Sequence, residues 1–210
     1  MFPTRAPAST WRCSKHHVRM QLSKELMSGD PLLQIPEIPR VAPNKLVFLG
    51  GAPGVGKSTS ARLLRTLLPG AATIEVDDMR ACLHDVDWQS WTHHCTALDA
   101  ALTAADMLLS AGRVPVIVLD AFGDAALAHA LARVGREPLV LSLWACGEEL
   151  AARILSRPVD HFRNISVSDE INDQIAVTGA APGRTLIDTS GKTPESVAGA
   201  IHALLVGAGL

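Results

Sequence analysis

Residues 51–59 read Gly51-Ala52-Pro53-Gly54-Val55-Gly56-Lys57-Ser58-Thr59. The stretch fits the pattern G-x-x-x-x-G-K-[ST] of a loop whose backbone N–H groups surround the phosphates of a nucleoside triphosphate. Glycines permit the turns and the close approach of the backbone, and the helix after such a loop points its positive dipole end at the anion. The sequence therefore predicts a phosphate-binding loop made of all nine residues.

Two side chains in this loop carry chemistry beyond its shape. Lys57 can reach the β- and γ-phosphates, so we predict that it is a catalytic residue. The hydroxyl of Ser58 can hold Mg²⁺. A glycine-rich turn without a ligand would need neither the lysine nor the hydroxyl, and the pair therefore favours phosphate binding over a plain turn.

The loop lies between a predicted strand and a predicted helix. Residues 45–49 are a short apolar run that fits a buried strand, and residues 60–68 have a helical pattern that stops at Pro69-Gly70. Similar apolar runs predict four more strands, at residues 72–76, 114–119, 138–144 and 184–188. Further helices are predicted from Trp91 to near Gly112, at 124–134, at 147–156 and from the cap Thr193 onwards. This alternation predicts a doubly wound α/β fold with a parallel sheet, whose ligands bind at the carboxyl ends of the strands.

The composition argues against several classes of protein. With 210 residues, of which 48% are hydrophobic, the chain can bury one domain-sized core. A net charge of −2 supplies no basic field for long nucleic acids, and no apolar run approaches the ~20 residues of a membrane span. The four cysteines lie far apart without a C-x-x-C pair, which indicates reduced thiols and a cytoplasmic protein.

The first 42 residues differ from the rest of the chain, because they are rich in proline and contain no acidic residue before Glu25. We expect residues 1–42 to be a poorly ordered N-terminal extension and residues 43–210 to form the folded domain. Two alternatives stay open for the extension. Its basic and hydroxyl residues weakly resemble an organelle transit peptide, and Met20 or Met27 could be the true first residue.

Acidic residues follow two of the predicted strands. Asp77 and Asp78 come directly after the second strand, with Arg80 close behind, and Asp120 ends the third strand. A carboxylate at this edge can accept the proton of a substrate hydroxyl, and we favour Asp77 for that catalytic role. Asp78 and Arg80 are predicted to hold the substrate, and Asp120 is predicted to hold Mg²⁺ through water. The alternative for each aspartate is to cap the helix that follows it.

Two arginines are predicted to stabilise the charge that develops during phosphoryl transfer. Arg153 and Arg157 lie one helical turn apart on the same face of the predicted helix 147–156 and its end. The polar run Asp160-His161-Phe162-Arg163-Asn164 after them is a candidate lid that would close the site and exclude water. A solvated basic face is the alternative for these arginines.

Histidines and tryptophans lie between the second and third strands. Adjacent side chains of a helix point in different directions, so His93 and His94 do not readily bind one metal ion. Trp88 and Trp91 could line a pocket for the phosphoryl acceptor, although packing in or over the core is their more common role.

Together these features resemble the small P-loop kinases that share the nucleoside-monophosphate-kinase type core. The branch in question contains chloramphenicol phosphotransferase, gluconate kinase, zeta toxin and polynucleotide 5′-kinase domains. The likeness covers about residues 44–208 and rests on Gly51 to Thr59, on Val76-Asp77-Asp78-Met79-Arg80, on Arg153-Ile154-Leu155-Ser156-Arg157 and on Ile187-Asp188-Thr189-Ser190-Gly191. The segment from Arg157 to Ser168 departs from the family, since it is short and lacks an arginine-rich lid.

The resemblance implies strand order 2-3-1-4-5, ATP as phosphoryl donor, Asp77 as the base and the turn at Asp188–Gly191 beside adenine. We therefore expect an ATP-dependent phosphotransferase that acts with Mg²⁺ on the hydroxyl of a small molecule, as a monomer or homodimer. Two alternatives remain: a nucleotide-dependent regulatory ATPase or switch, and a kinase of polynucleotides or nucleotide sugars.

Overall fold

The computed structural model describes residues 46–159 and 162–210. The predicted extension 1–42, the first residue of the predicted strand 45–49, and the lid residues 160 and 161 lie outside this range. In the described ranges no helix is both long and apolar enough to cross a membrane.

Five strands form one parallel sheet in the described part of the chain. Their bounds are Leu46–Gly51 (β1), Ala72–Glu75 (β2), Val116–Leu119 (β3), Leu139–Trp144 (β4) and Arg184–Asp188 (β5). The strands are ordered β2-β3-β1-β4-β5 and each neighbouring pair is parallel. The predicted α/β class and the order 2-3-1-4-5 are confirmed.

Helices connect the strands and cover both faces of the sheet. Their bounds are Lys57–Leu67 (α1), Val76–Ala81 (α2), Trp91–Ser110 (α3), Asp124–Val134 (α4), Gly147–Leu155 (α5), Ile165–Thr178 (α6) and Pro194–Gly207 (α7). Side-chain oxygens of Ser90, Asn164 and Thr193 cap α3, α6 and α7, because each accepts a hydrogen bond from a free N–H of the first turn.

The central strand β1 shows how the core is divided. All six of its residues are buried. Leu46 and Phe48 belong to a core shared with α3 and α4, whereas Val47 and Leu49 belong to a core shared with α1, α5 and α7. Alternate side chains of a strand point to opposite faces, so an unbroken apolar run is what a strand covered by helices on both faces requires.

The first helix begins at Lys57, directly after the glycines of the phosphate-binding loop, as the motif predicts. Other elements differ from the sequence predictions. β2 ends at Glu75 because Val76 opens α2, and β3 begins at Val116 rather than at residue 114. Helix α6 was not predicted. Its buried face carries Ser168 and Asn172 beside Ile175. These polar residues interrupt the apolar periodicity from which an amphipathic helix is predicted.

Candidate active site

The phosphate-binding loop joins the carboxyl end of β1 to the first turn of α1. A Cβ on Gly54 would lie 2.9 Å from both Leu150 Cδ1 and Ile154 Cγ1, so this glycine lets the loop pack against α5. Gly56 has φ +103° and would meet nothing within 4 Å. The loop is therefore closely packed on its α5 side and open at the N-terminus of α1, where an anion is favoured.

Lys57 bends back over this loop. Its Nζ donates hydrogen bonds to the carbonyl oxygens of Gly51 at 2.6 Å and Ala52 at 3.1 Å. Burial lowers the pKa of the Lys57 ammonium, while the carboxylates of Asp120 and Asp77 oppose this change. Lys57 and both aspartates line one cavity of about 860 Å³ at the carboxyl edge of the sheet, hereafter the phosphate cavity.

The register of β2, β3 and β1 explains why these residues meet. Glu75 pairs with Leu119 across one ladder, and Leu119 pairs with Leu49 across the next. Residues that follow these positions therefore open onto one edge. Ser58 Oγ donates a 2.8 Å hydrogen bond to Glu75 Oε2, which also lines the phosphate cavity. Sequence reasoning missed Glu75, because the predicted strand 72–76 placed it inside a strand rather than at the strand's carboxyl end.

Asp120 is buried and held by two groups. His94 Nε2 lies 3.2 Å from its Oδ2, and the backbone N–H of Phe122 donates to the same oxygen at 3.4 Å. Burial is the largest influence on Asp120 and acts to raise its pKa, but the hydrogen bond and charge of His94, the backbone N–H of Ala121 and the charge of Lys57 together hold the pKa below its ordinary value. His94 is thus part of the site, whereas His93 points elsewhere and accepts from the Asp87 N–H.

Asp77 lies in the first turn of α2, and the residue is exposed as a whole although its carboxyl group lines the phosphate cavity. Burial raises the pKa of Asp77, and the Asp120 carboxylate raises it further, while Lys57 acts in the opposite direction. Neither predicted aspartate caps α2, since its N-cap is Glu75. Asp78, predicted to hold substrate, is exposed and lines none of the three cavities described here.

The two predicted arginines occupy different positions. Arg153 donates to Thr189 Oγ1 at 2.9 Å and to Thr189 O at 2.8 Å, and it forms an ion pair with Glu149. It lines a cavity of about 350 Å³ between the phosphate-binding loop and the turn after β5, hereafter the nucleoside cavity. Arg157 lines both this cavity and the phosphate cavity, and its only described side-chain bond is a 3.4 Å contact to Phe162 O.

A third cavity, of about 670 Å³, adjoins the phosphate cavity and is hereafter the acceptor-side cavity. The residues that line both cavities are Arg80, Trp88, His94, Asp120, Ala121 and Ile171. Arg80 is buried, and its guanidinium carbon lies 5.1 Å from the centre of the Trp88 ring. Trp88 and Trp91 are about half exposed, so neither takes the core role that is common for tryptophan.

The oxygen groups of the phosphate cavity suit Mg²⁺. Among residues 46–159 and 162–210, no three His, Cys, Asp or Glu side chains form a site that could hold a metal alone. Mg²⁺ does not need such a site, because it binds through one or two protein oxygens, phosphate oxygens and water. The hydroxyl of Ser58 and the carboxylates of Glu75 and Asp120 are hard oxygen donors of this kind.

No protein-family model and no curated protein sequence matches the chain. Solved structures do. The tunicamycin resistance protein of Deinococcus radiodurans matches with 24% identity and a TM-score of 0.58 over 77% of this chain and 95% of that chain. A sugar kinase from Janibacter sp. matches with 20% identity and a TM-score of 0.58, over 77% and 94%. A gluconokinase from Sinorhizobium meliloti matches with 19% identity and a TM-score of 0.56, over 80% and 94%. The chain therefore has the fold of the small P-loop kinases, as the resemblance implied.

Proposed function

We propose that this chain transfers the γ-phosphoryl group of ATP to a hydroxyl of a small molecule. One observation carries the proposal: Lys57 of the phosphate-binding loop, the Asp77 carboxylate and the buried Asp120 line one cavity. That cavity continues into a second one large enough for a small molecule. The names of structural neighbours add support, since they include a sugar kinase, a gluconokinase, a shikimate kinase and an APS kinase.

The donor nucleotide would lie along the phosphate-binding loop. Its phosphates face the N–H groups at the start of α1 and the Lys57 ammonium, and its nucleoside faces the nucleoside cavity beside Arg153 and Thr189. Ser58 and Asp120 are the residues that would hold Mg²⁺, directly or through water, with Glu75 within reach of Ser58. When bound, the ion neutralises phosphate charge.

Asp77 is proposed as the general base. As the acceptor oxygen bonds to the γ-phosphorus, the bond from that phosphorus to the β,γ-bridging oxygen breaks, and ADP leaves with that electron pair. The acceptor's proton passes to a carboxylate oxygen of Asp77. The raised pKa of Asp77 favours this role, because it brings the carboxylate closer to the pH at which a base works best.

Lys57 and Arg157 would stabilise the charge on the transferred group. Both line the phosphate cavity, and the charge of Arg157 contributes to lowering the pKa of Lys57, which places the two cations near each other. His94 is a positioning residue, because it acts through Asp120. We also propose a cytoplasmic location and a monomeric or homodimeric state. Cys82, Cys95 and Cys146 are free thiols, which fits the reducing conditions of the cytoplasm.

A screen of hydroxyl compounds with γ-labelled ATP tests the proposal directly. Label should move to at least one small alcohol, and Lys57→Ala should reduce transfer by about 10²- to 10³-fold, since one electrostatic stabiliser is lost. Arg65→Ala is the matched control, because it removes an exposed cation from the same helix. ATP hydrolysis that no acceptor stimulates, together with a change of oligomer size on ATP binding, would instead support the regulatory switch.

A further inference from the structure

Asp120, which is proposed to hold Mg²⁺, is fixed from two directions. The backbone N–H of Phe122 donates to its Oδ2 at 3.4 Å, and His94 Nε2 lies 3.2 Å from the same oxygen. Two partners on one oxygen set the plane of the carboxylate, and Oδ1 takes part in neither bond. A carboxylate that is oriented before the ion arrives holds the ion more tightly, so the groups around it affect metal affinity.

The backbone side of Asp120 is held by packing. Phe122 has φ +50°, a left-handed conformation that is uncommon for a large side chain. Its ring is buried and stacks on Phe48 with centroids 4.8 Å apart. This packing keeps the Phe122 N–H in place, so the orientation of Asp120 depends further on how firmly His94 is held.

Trp91 supports His94 from the solvent side. Trp91 opens α3 and His94 follows three residues later, so the two lie on one face of the first turn. Their rings stack with centroids 5.5 Å apart and planes 22° apart. Trp91 is half exposed, whereas the His94 side chain is largely buried beneath it. The indole therefore limits the rotation of the imidazole that contacts Asp120.

A second histidine–aspartate pair contacts Trp91. His129 of α4 meets the indole edge-on, with centroids 6.4 Å apart and planes at 83°. His129 Nε2 lies 2.9 Å from Asp99 Oδ1, and His129 Nδ1 lies 4.0 Å from Cys95 Sγ, both on α3. Both ring nitrogens thus have partners, which fixes the imidazole against which Trp91 packs. His94, Trp91 and His129 are hereafter the aromatic row.

The aromatic row serves neither the cores nor the donor nucleotide directly. Its three members are absent from both buried clusters that cover the sheet. Trp91 and His129 also line neither the phosphate cavity nor the nucleoside cavity. The path of contacts from His129 through Trp91 and His94 ends at Asp120, so the effect of the row should appear where Asp120 acts.

We propose that Trp91 and His129 are positioning residues for Mg²⁺, which hold His94 against Asp120 and so keep this carboxylate ready for the ion. The inference rests on the proposed function, because it requires Asp120 to hold Mg²⁺. It adds two residues that do not touch the nucleotide or the ion. Their loss should weaken the binding of Mg²⁺ with the nucleotide and leave the binding of the nucleotide alone unchanged.

Calorimetric titration of a non-hydrolysable ATP analogue into the full chain, with and without Mg²⁺, tests this prediction. Trp91→Ala should weaken binding about three- to tenfold with Mg²⁺, the range for loss of one aromatic pair, and change it less than about twofold without the ion. Trp91→Phe keeps a ring on His94 and should restore most of the loss. Met107→Ala removes an exposed side chain of the same helix and should change neither affinity.

His129→Ala tests the outer end of the row. It should weaken binding with Mg²⁺ about two- to fivefold, less than Trp91→Ala, because it acts through one more contact. Equal losses with and without Mg²⁺, or a Trp91→Phe variant as weak as Trp91→Ala, would overturn the proposal for Trp91. Unchanged Mg²⁺-dependent binding in His129→Ala would overturn it for His129.

A ¹⁵N-resolved spectrum adds a signature that a purely structural role would not give. Addition of Mg²⁺ to the complex with the analogue should shift the indole N–H signal of Trp91, and His94→Ala should abolish that shift. A shift that persists in His94→Ala would show that the ion affects Trp91 by another path and would overturn the proposal.

Asp120→Asn distinguishes this inference from the proposed function. If Asp120→Asn loses the Mg²⁺-dependent gain in affinity and Trp91→Ala keeps it, the aromatic row has no positioning role and the proposed function stands. If both lose the gain and no alcohol accepts phosphate, the row keeps its role and the proposed function is wrong. If Asp120→Asn keeps the gain, Asp120 does not hold the ion and the inference is overturned.

Discussion

The donor and acceptor halves of the cleft are built in different ways. The donor half is a continuous stretch, residues 51–59, whose glycines and backbone N–H groups are proposed to bind the phosphates. The acceptor half takes Arg80 from α2, His94 from α3 and Ile171 from α6, which meet only in the folded chain. A site built from contiguous backbone can be recognised from its sequence motif. A site built from distant side chains forms only when the whole chain has folded.

The largest effect should come from the residue between the two halves. Asp77→Asn keeps the shape of the side chain but cannot take a proton, so kcat should fall by about 10²- to 10⁴-fold with little change in ATP affinity. Steady-state kinetics and nucleotide titration measure both quantities. Asp78→Asn is the matched control from the same helical turn, and we expect a change of less than about threefold because Asp78 lies outside the cavities. Equal losses in the two variants would remove Asp77 from the role of base.

Variants of Arg153 and Arg157 should give the next largest effects, each on a different kinetic parameter. Arg157 lines both the nucleoside and phosphate cavities, so Arg157→Ala should lower kcat by about 10²-fold with a small change in the KM for ATP. Arg153 is bonded to Thr189 and Glu149, and its loss should mainly raise the KM for ATP, by about tenfold. If both variants changed kcat and KM alike, the two arginines would belong to one unit and the proposed division would be wrong.

The difference between the two halves also decides what the sequence could predict. The phosphate-binding loop, the five strands and their parallel arrangement follow from local patterns, because Gly51 to Thr59 and the short apolar runs carry their own signals. The strand order came from the family resemblance. Asp77 and Asp120 could be placed at one edge because each follows a strand of that sheet.

The remaining parts needed tertiary contacts. His94 was visible only as one of two adjacent histidines, and nothing local shows that its Nε2 meets Asp120 across 26 positions of the chain. Helix α6 turns Ser168 and Asn172 inward, and Asn172 exchanges two hydrogen bonds with the backbone of Ala145. Polar residues on a buried helix face are interpretable only once their partners are known.

Two glycines test the claim that the donor half is backbone-built. Gly54→Ala adds a Cβ 2.9 Å from two buried side chains of α5 at φ +98°, so it should lower the free energy of unfolding by about 2 to 4 kcal/mol. Gly56→Ala meets only the backbone penalty, about 1 to 2 kcal/mol, because the added carbon enters open space. Urea unfolding measures both.

Nucleotide titration of the same glycine variants adds the functional contrast. The open space beside Gly56 is where the phosphates are proposed to approach the backbone, so Gly56→Ala should lose more ATP affinity than its loss of stability suggests. Gly54→Ala should instead lose mainly stability, with a smaller loss of ATP affinity. A Gly56→Ala variant that binds ATP normally would contradict the proposed position of the phosphates.

The smallest expected effect is a gain of stability when the charge of Asp77, which lies between the donor and acceptor halves, is removed. The pKa of Asp77 is raised in the folded chain, so the folded state holds this proton more tightly than the unfolded state does. Above the raised pKa the carboxylate therefore opposes folding, and stability falls as the pH rises through that value. Asp77→Asn removes this charge and should be more stable than the parent near pH 7 in urea unfolding.

The sign can be checked by pH and by the neighbouring aspartate. Below the ordinary aspartate pKa of about 3.9, Asp77 is protonated in both states, so the advantage of Asp77→Asn should vanish there. Both Asp77→Asn and Asp78→Asn lose a favourable charge at the start of α2, worth about 0.3 to 1 kcal/mol. The difference in unfolding free energy between the two variants therefore measures how the phosphate cavity affects the charge of Asp77. If Asp77→Asn were the less stable of the two near neutral pH, Asp77 would stabilise α2, and its charge would not be unfavourable in the folded site.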